Sequence, residues 1–277
     1  MILGVHAWVA RGLDRVLGEA REHGLKALQT LPYRRHHPPT GAEMAAFRAE
    51  RAASGVETLL IHSRFAAALS SSHETLRSRS RQSLTRELRL AAGLGGDAFV
   101  LHAGPYSPGA DAETGVRLFA QEVFRAVADS GFKAPILIEN VPGGGRRLGG
   151  TLEDLARLLD ALPARVAAGA CLDTAHAWAA GYELSTAEGA MKFLSRAHRL
   201  LGDRVRAFHL NDSLAQVHSH RESHWHLGKG RLGLEGLKVL LEREEYALLP
   251  GILETPKEPG ADAENLKVAR GLSSRSR

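Results

Sequence analysis

The sequence predicts one α/β domain over residues 1–277, a closed (β/α)8 barrel of the TIM type. Three observations predict it. Short apolar runs alternate with longer amphipathic stretches, the apolar runs number eight, and each is continuous rather than alternating, as strands covered on both faces are. Eight strand–helix units in roughly 250 residues fit a barrel. An open doubly wound sheet is the nearest alternative. It has fewer strands and a glycine-rich phosphate turn after the first, and no such turn follows the first run here.

In chain order the strand runs are MILGVHA (1–7), LKALQTLP (25–32), VETLLIHS (56–63), AFVLHAG (98–104), PILIENV (135–141), AGACLDTAH (168–176), VRAFHLND (205–212) and GILETPK (251–257). Between them, helical periodicity covers Leu13–His23, Glu74–Leu94, Ala112–Ser130, Leu152–Leu162, Thr186–Leu201 and Leu234–Glu245. Thr151 and Ser185 stand where N-caps belong, before LEDLARLLD and TAEGAMKFL. PGGGRRLGG (142–150) lacks the Gly-Lys-Ser/Thr ending of a phosphate cradle and reads as a flexible loop. The tail over 272–277 reads as disordered.

A hydrophobic fraction of 44% with 24% charged residues supplies a core and excludes a disordered chain. No apolar run approaches the roughly 20 residues of a membrane span, and MILGVHAWVARGL has no export-signal pattern. The lone Cys171 excludes an internal disulfide and fits the reducing cytoplasm. Within AGACLDTAH it reads as a small core residue. The net charge of +5 and pI near 9.6 favour polyanionic partners such as nucleic acid.

Barrel chemistry gathers at the C-terminal ends of the strands. The last polar residues of the eight runs are His6, Gln29, His62, His102, Glu139, Asp173 with His176, His209, and Glu254. Buried barrel positions ordinarily carry Val, Ile or Leu, so core packing alone does not account for this series. Five of the 14 histidines (His209, His218, His220, His224 and His226) fall in one short window after the seventh run. Imidazole with carboxylate, and no thiolate, suits zinc, manganese or iron. With Glu222 and His224 added, the donors outnumber the roughly four that one ion takes and suit three. Clustered divalent cations favour phosphoryl chemistry, whereas a sugar isomerase needs one or two ions.

The segments GVHAWVARGL, LLIHS, FVLHAGPY, ILIENVPGGG, CLDTAHAWAAGY, FHLNDS, ESHWHLGKGRLG and ILETP, in this order, resemble the endonuclease IV family of abasic-site DNA repair enzymes. The resemblance spans nearly the whole chain. It implies three zinc ions, with manganese or iron as alternatives. His62, His102 and Glu139 would hold the first; Glu139 would bridge to a second, completed by Asp173, His209 and Glu254; His176, Glu222 and His224 would hold the third. The chain departs from the family where Glu222-Ser223-His224 replaces Asp-Arg-His. The extra methylene displaces the carboxylate and the missing arginine removes a phosphate contact. A two-residue shift in loop register would instead put His224 and His226 on the ion. His218, His220 and His226 otherwise read as phosphate-facing or solvated.

The loop QTLPYRRHHPPTG (29–41) combines stiffening prolines with an aromatic and two arginines. Tyr33, Arg34 and Arg35, with His6 at the rim, form the expected DNA-contacting set, Tyr33 filling the gap of the missing base. RFAAALSSSHETLRSRSRQS (64–83) offers further backbone contacts or the exposed face of a helix. The resemblance implies a cytoplasmic monomer that cleaves double-stranded DNA 5′ to abasic sites and trims blocked 3′ ends. The products would be a 3′-hydroxyl and a 5′-deoxyribose phosphate, with Glu139 positioning the nucleophile as well as binding metal. Two alternatives use the same residues: a sugar isomerase or epimerase of this barrel class, and an abasic-DNA binding protein whose third metal site has failed at Glu222.

Overall fold

The computed structural model describes residues 1–64 and 68–273. Eight parallel strands close into a barrel in chain order: β1 (Ile2–Ala7), β2 (Ala27–Thr30), β3 (Thr58–His62), β4 (Ala98–His102), β5 (Ile136–Glu139), β6 (Ala168–Asp173), β7 (Val205–His209) and β8 (Pro250–Leu253). β8 pairs with β1 to complete the ring. Seven of the strands lie inside the apolar run that predicted them, and β8 begins one residue earlier, at Pro250.

Two cores explain why those runs are continuous. Ala27, Leu60, Ala98, Val100, Leu137, Cys171, Ala207 and Ile252 pack together inside the barrel. Their neighbours Leu28, Leu59, Ile61, Phe99, Leu101, Ile138, Leu172 and Phe208 belong to the outer core beneath the helices. Neither face meets water, so no polar alternation is needed; full burial of each large side chain contributes about 1.5–3 kcal/mol. Inside the barrel β1 leaves no room for a side chain at Gly4. A Cβ on Gly4 would stand 2.4 Å from the Ala27 carbonyl oxygen and 2.8 Å from the Ile252 side chain.

Side chains of a strand alternate between faces, so the residue two beyond an inner-core position also points inward. Counting two on from Ala27, Leu60, Val100, Leu137, Cys171, Ala207 and Ile252 gives Gln29, His62, His102, Glu139, Asp173, His209 and Glu254. The barrel interior thus changes from aliphatic to ligand-bearing at one level. Register pairs His6 with Gln29, His102 with Glu139 and Asp173 with His209, and it steps the ligand positions by two residues between β2 and β3, β3 and β4, β5 and β6, and β7 and β8, the stagger that closes tilted strands into a barrel.

The described helices are α1 (Leu13–His23), α2 (Gly41–Ser54), α3 (Glu74–Leu94), α4 (Ala112–Ser130), α5 (Leu152–Ala161), α6 (Thr174–Ala180), α7 (Ala187–Leu201), α8 (Glu235–Glu242) and α9 (Ala261–Ser273). Thr151 caps α5 as expected, accepting from the Asp154 amide. The cap of α7 is Thr186, one residue beyond the expected Ser185, whose hydroxyl donates to Glu183 instead. α8 stops at Glu242 and is followed by a 3-10 turn, Glu244–Tyr246, short of the predicted uninterrupted helix. Leu272 and Ser273 end α9, where a disordered tail was expected; positions 274–277 lie outside the described residues. Among the described residues no helix is long and apolar enough to cross a membrane.

The glycine-rich segment 142–150 is pinned rather than free. Val141 donates to Gly149, Leu148 to Gly104 and Arg147 to Gly144 along the backbone, while the Pro142 carbonyl is bonded to His220 Nδ1 at 2.8 Å. Gly144 has φ 81° and lies so close to His220 that a Cβ would come within 2.7 Å of that side chain. Glycine here permits both the turn and the contact.

Candidate metal centre

At the C-terminal mouth of the barrel a cavity of about 350 Å³ is lined by His6, His62, His102, Glu139, His176, Glu222, His224 and Glu254, with Trp8, Leu31, Thr255 and Lys257 at its edges. Three donor groups lie in or beneath it, each with ligand atoms within 4.8 Å of one another: His62, His102 and Glu139; Glu139, Asp173, His209 and Glu254; Asp173, His176 and His224. Glu139 belongs to the first two groups and Asp173 to the last two. The three are therefore linked by shared carboxylates into one continuous centre.

Distances describe a tight cluster. Glu139 Oε2 lies 3.0 Å from His62 Nε2 and 2.9 Å from His102 Nε2. Its Oε1 lies 3.0 Å from His209 Nδ1 and 3.1 Å from His176 Nδ1. Glu254 Oε2 is 3.1 Å from His209 Nδ1, and His224 Nε2 is 3.2 Å from His176 Nε2. Glu139 is 1% exposed and Asp173 0%.

Asparagines and backbone oxygens hold the outer sides of these ligands. Asp173 Oδ1 accepts from the His176 amide and caps α6, while Oδ2 accepts from Asn211 Nδ2 at 2.7 Å. Asn140 Oδ1 accepts from the Asp173 amide, and Asn211 Oδ1 from the Glu254 amide. His62 Nδ1 donates to the Ser63 carbonyl at 2.7 Å and His176 Nδ1 to the Asn140 carbonyl at 2.9 Å. A carbonyl only accepts, so each of those bonds places the ring proton on Nδ1 and leaves Nε2 for the cavity.

The electrostatics test whether cations fit. Burial raises the Glu139 carboxyl, but the His209 and His102 imidazoles beside it more than reverse that, leaving it well below the usual range. Glu254 behaves likewise, its burial outweighed by His209 and by the bond from His6. Burial lowers His176, yet Asp173 and Glu139 overcome it and push the ring up to about 10. His62 is also raised, burial being outweighed by Glu139. Ionised carboxylates withdrawn from water need positive charge at their centre, and protonated imidazoles or bound cations can supply it. A nitrogen–oxygen donor set without thiolate, each group built of three or four donors, fits divalent cations.

All the expected ligands except Glu222 fall into these groups. Glu222 is exposed on the cavity wall, and Asp173 takes its place beside His176 and His224. The alternative register fails. His226 is bonded to Asn265 Nδ2 at 3.0 Å, lies 3.8 Å from Glu258 and stands outside every donor group. His218 and His220 adopt positive φ of 60° and 55°, and their rings meet edge to face with centroids 4.9 Å apart. His220 is a bonded buttress of the 142–150 loop, not a solvated side chain. His176 lies on α6 rather than on a strand.

The expected DNA-contacting residues are divided. His6 lines the metal cavity and is bonded to Glu254 Oε1 at 3.1 Å. Tyr33 and Arg34 line a separate groove of about 580 Å³ between the chain after β1 and the loop after β2. Tyr33 is half-buried, its hydroxyl donating to Glu87 at 3.4 Å and its ring 5.3 Å from the Arg64 guanidinium. Arg35 is exposed. The segment expected to contact backbone at 64–83 continues into α3, and its positions 65–67 lie outside the described residues.

Sequence reasoning placed Gln29 in the rim series without giving it a role and passed over Asn140, Asn211 and Asp212. Asp212 accepts from the amides of Ser213, Gly230, Leu232 and Gly233 and so ties together the loop that carries Glu222 and His224. The available signal was their placement: each is a polar residue at, or within three residues of, a strand's C-terminal end.

The family profile described as xylose isomerase-like TIM barrel matches residues 17–272. A probable endonuclease 4 from Nitratidesulfovibrio vulgaris is 36% identical over 282 residues, covering 99% of both chains. Another from Geobacter sulfurreducens is 34% identical over 280 residues, covering 98% of this chain and 94% of the relative. The crystal structure of endonuclease IV from Thermus thermophilus superposes with a TM-score of 0.85 at 32% identity, covering 98% of each chain. A D-tagatose 3-epimerase-like protein matches at TM-score 0.78 but 18% identity, a likeness of fold alone. Matched from end to end at these identities, the chain belongs to the endonuclease IV family of xylose isomerase-like TIM barrels.

Proposed function

We propose that this protein is a metal-dependent endodeoxyribonuclease of base excision repair. It cuts double-stranded DNA on the 5′ side of abasic sites and removes blocked 3′ ends. The observation that carries the reading is the linkage of three donor groups through Glu139 and Asp173. One ion of a sugar isomerase would use a single group; three joined groups in one open cavity suit a phosphodiester.

His62, His102 and Glu139 would hold one ion, Glu139, Asp173, His209 and Glu254 a second, and Asp173, His176 and His224 a third, zinc being the natural choice for these donors. Bound there, such cations lower the pKa of water toward ~7 and neutralise charge developing on the phosphate. The chain's own residues fix where this happens. Glu139, bonded on both oxygens, is held rigidly at the junction of two groups. His6 and Lys257 add polar and cationic edges to the cavity mouth, where a phosphate enters. Hydrolysis forms a bond from a water oxygen to phosphorus and breaks the bond to the 3′ oxygen, which takes up a proton. It leaves a 3′-hydroxyl and a 5′-deoxyribose phosphate.

Tyr33, Arg34, Arg35 and His6 are the proposed DNA contacts, the arginines to phosphate and Tyr33 beside the lesion. The protein would act as a monomer in the cytoplasm. One observation favours the rival reading of a non-cutting abasic-DNA binder: exposed Glu222 stands outside the third group. The deciding experiment is incubation with a duplex carrying one tetrahydrofuran abasic analogue, which resists β-elimination. We expect a nick 5′ to the analogue, abolished in Glu139→Gln. Tight binding without a nick would favour the rival, and Glu222→Asp should then restore cutting. Turnover of a ketose with no action on DNA would overturn both.

A further inference from the structure

The inference rests on the metal-centre reading above and concerns how His209 is prepared to be a ligand. Gln29 ends the inner face of β2, is 0% exposed and is the one amide in the ring of imidazoles and carboxylates. Its Nε2 donates to Glu254 Oε1 at 2.6 Å and lies 2.9 Å from His6 Nδ1. Its Oε1 lies 2.9 Å from His209 Nε2.

These contacts fix each other. A carboxylate only accepts, so the amide nitrogen must face Glu254 and the amide oxygen must face His209. An oxygen there requires a proton on His209 Nε2. The lone pair is then left on Nδ1, the nitrogen that lies 3.0 Å from Glu139 Oε1 and 3.1 Å from Glu254 Oε2 in the central donor group. A reversed amide would oppose two oxygens at Glu254 and draw the His209 proton to Nδ1, blocking the ligand position. The same bonds hold Glu254 Oε1 outward, toward His6 and Gln29, and leave Oε2 for the centre.

His62 and His176 obtain the equivalent restraint from backbone carbonyls, which no substitution removes. His209 depends on a side chain. We propose that Gln29 is a positioning residue of the metal centre: it selects the His209 tautomer and orients Glu254, and through them sets the affinity of the central ion. Loss of such an outer hydrogen bond typically weakens metal binding about 10–100-fold.

The test uses full-length protein stripped of metal and titrated with zinc against a chelating dye, with ¹⁵N NMR of the histidine rings in the zinc-loaded form. Gln29→Met keeps shape but removes both bonds; Gln29→Glu keeps an acceptor for His209 and loses the donor to Glu254. We expect Gln29→Met to bind one zinc about 10–100-fold more weakly and to lose the Nε2–H signature of His209. Gln29→Glu should keep that signature, and it remains informative should Gln29→Met fail to fold. Wild-type zinc affinity in folded Gln29→Met, or loss of the His209 signature in Gln29→Glu, would overturn the assignment of Gln29. Failure of the unaltered protein to take up zinc would instead strike the metal-centre reading beneath it.

Discussion

Cys171 shows how closely chemistry and packing adjoin in this barrel. It belongs to the inner aliphatic core, two residues before Asp173, and burial pushes its thiol up to about 12. At neutral pH it stays protonated, a core residue as its apolar surroundings in the sequence suggest. The folded protein should therefore react with a thiol reagent such as DTNB only on the timescale of unfolding, and urea should release one rapid equivalent. Fast labelling of the native protein would contradict the burial. Tyr33 and Glu87 make a second residue-scale case. Glu87 is 2% exposed and accepts from Ser63 Oγ, the Arg64 amide and Tyr33. Glu87→Ala removes the acceptor of all three bonds and should lower stability by about 2 kcal/mol, measured by denaturant titration, while loosening the loops after β2 and β3. The histidines and carboxylates were legible because such residues do not belong at the end of an apolar strand. Glu222 lines the cavity with His176 and His224 but stands outside the third donor group, because a loop's path is not written in its spacing. Asp173 lies at one strand end within reach of two groups, a proximity that only the barrel's closure creates.

At the scale of elements, all eight strands were legible because burial on both faces makes each a continuous apolar run. The same property hid α6. AGACLDTAHAW stays apolar from β6 into the helix with no intervening loop, so the boundary at Asp173 leaves no change of composition. There the carboxylate caps the helix with one oxygen and faces the donor groups with the other. α2 was passed over although it carries a capping box, Thr40 and Glu43 bonding each other's backbone amides. Only Phe47 of that helix is buried, so its periodicity is faint. Thr40→Ala should cost about 1 kcal/mol, read as a lower denaturation midpoint with unchanged slope. No measurable change would mean that α2 is held by packing alone. The 142–150 loop was read as flexible from its glycines. Here the glycines instead let Pro142 and Gly144 approach His220, which braces the segment leading to Glu222 and His224.

Across the whole molecule, the ring of candidate ligands exists because eight strands bring their C-terminal ends to one mouth, so metal binding there would be coupled to folding. Cations that bind only the closed barrel stabilise it by mass action, about 2.7 kcal/mol at one hundred times Kd. Removing them with dipicolinate should abolish nicking and lower the melting temperature by roughly 5–10 °C, and zinc should restore both. An unchanged melting curve in protein shown to have lost its metal would separate the site from the fold. Anomalous X-ray diffraction on crystals grown with zinc, recorded on both sides of the zinc absorption edge, tests the metal centre most directly. The prediction is edge-dependent peaks within the three groups joined by Glu139 and Asp173, with the Glu254 Oε2 and His209 Nδ1 atoms among the nearest neighbours. Carboxylates and imidazoles that bond only to one another in saturating zinc, with no peak between them, would contradict it.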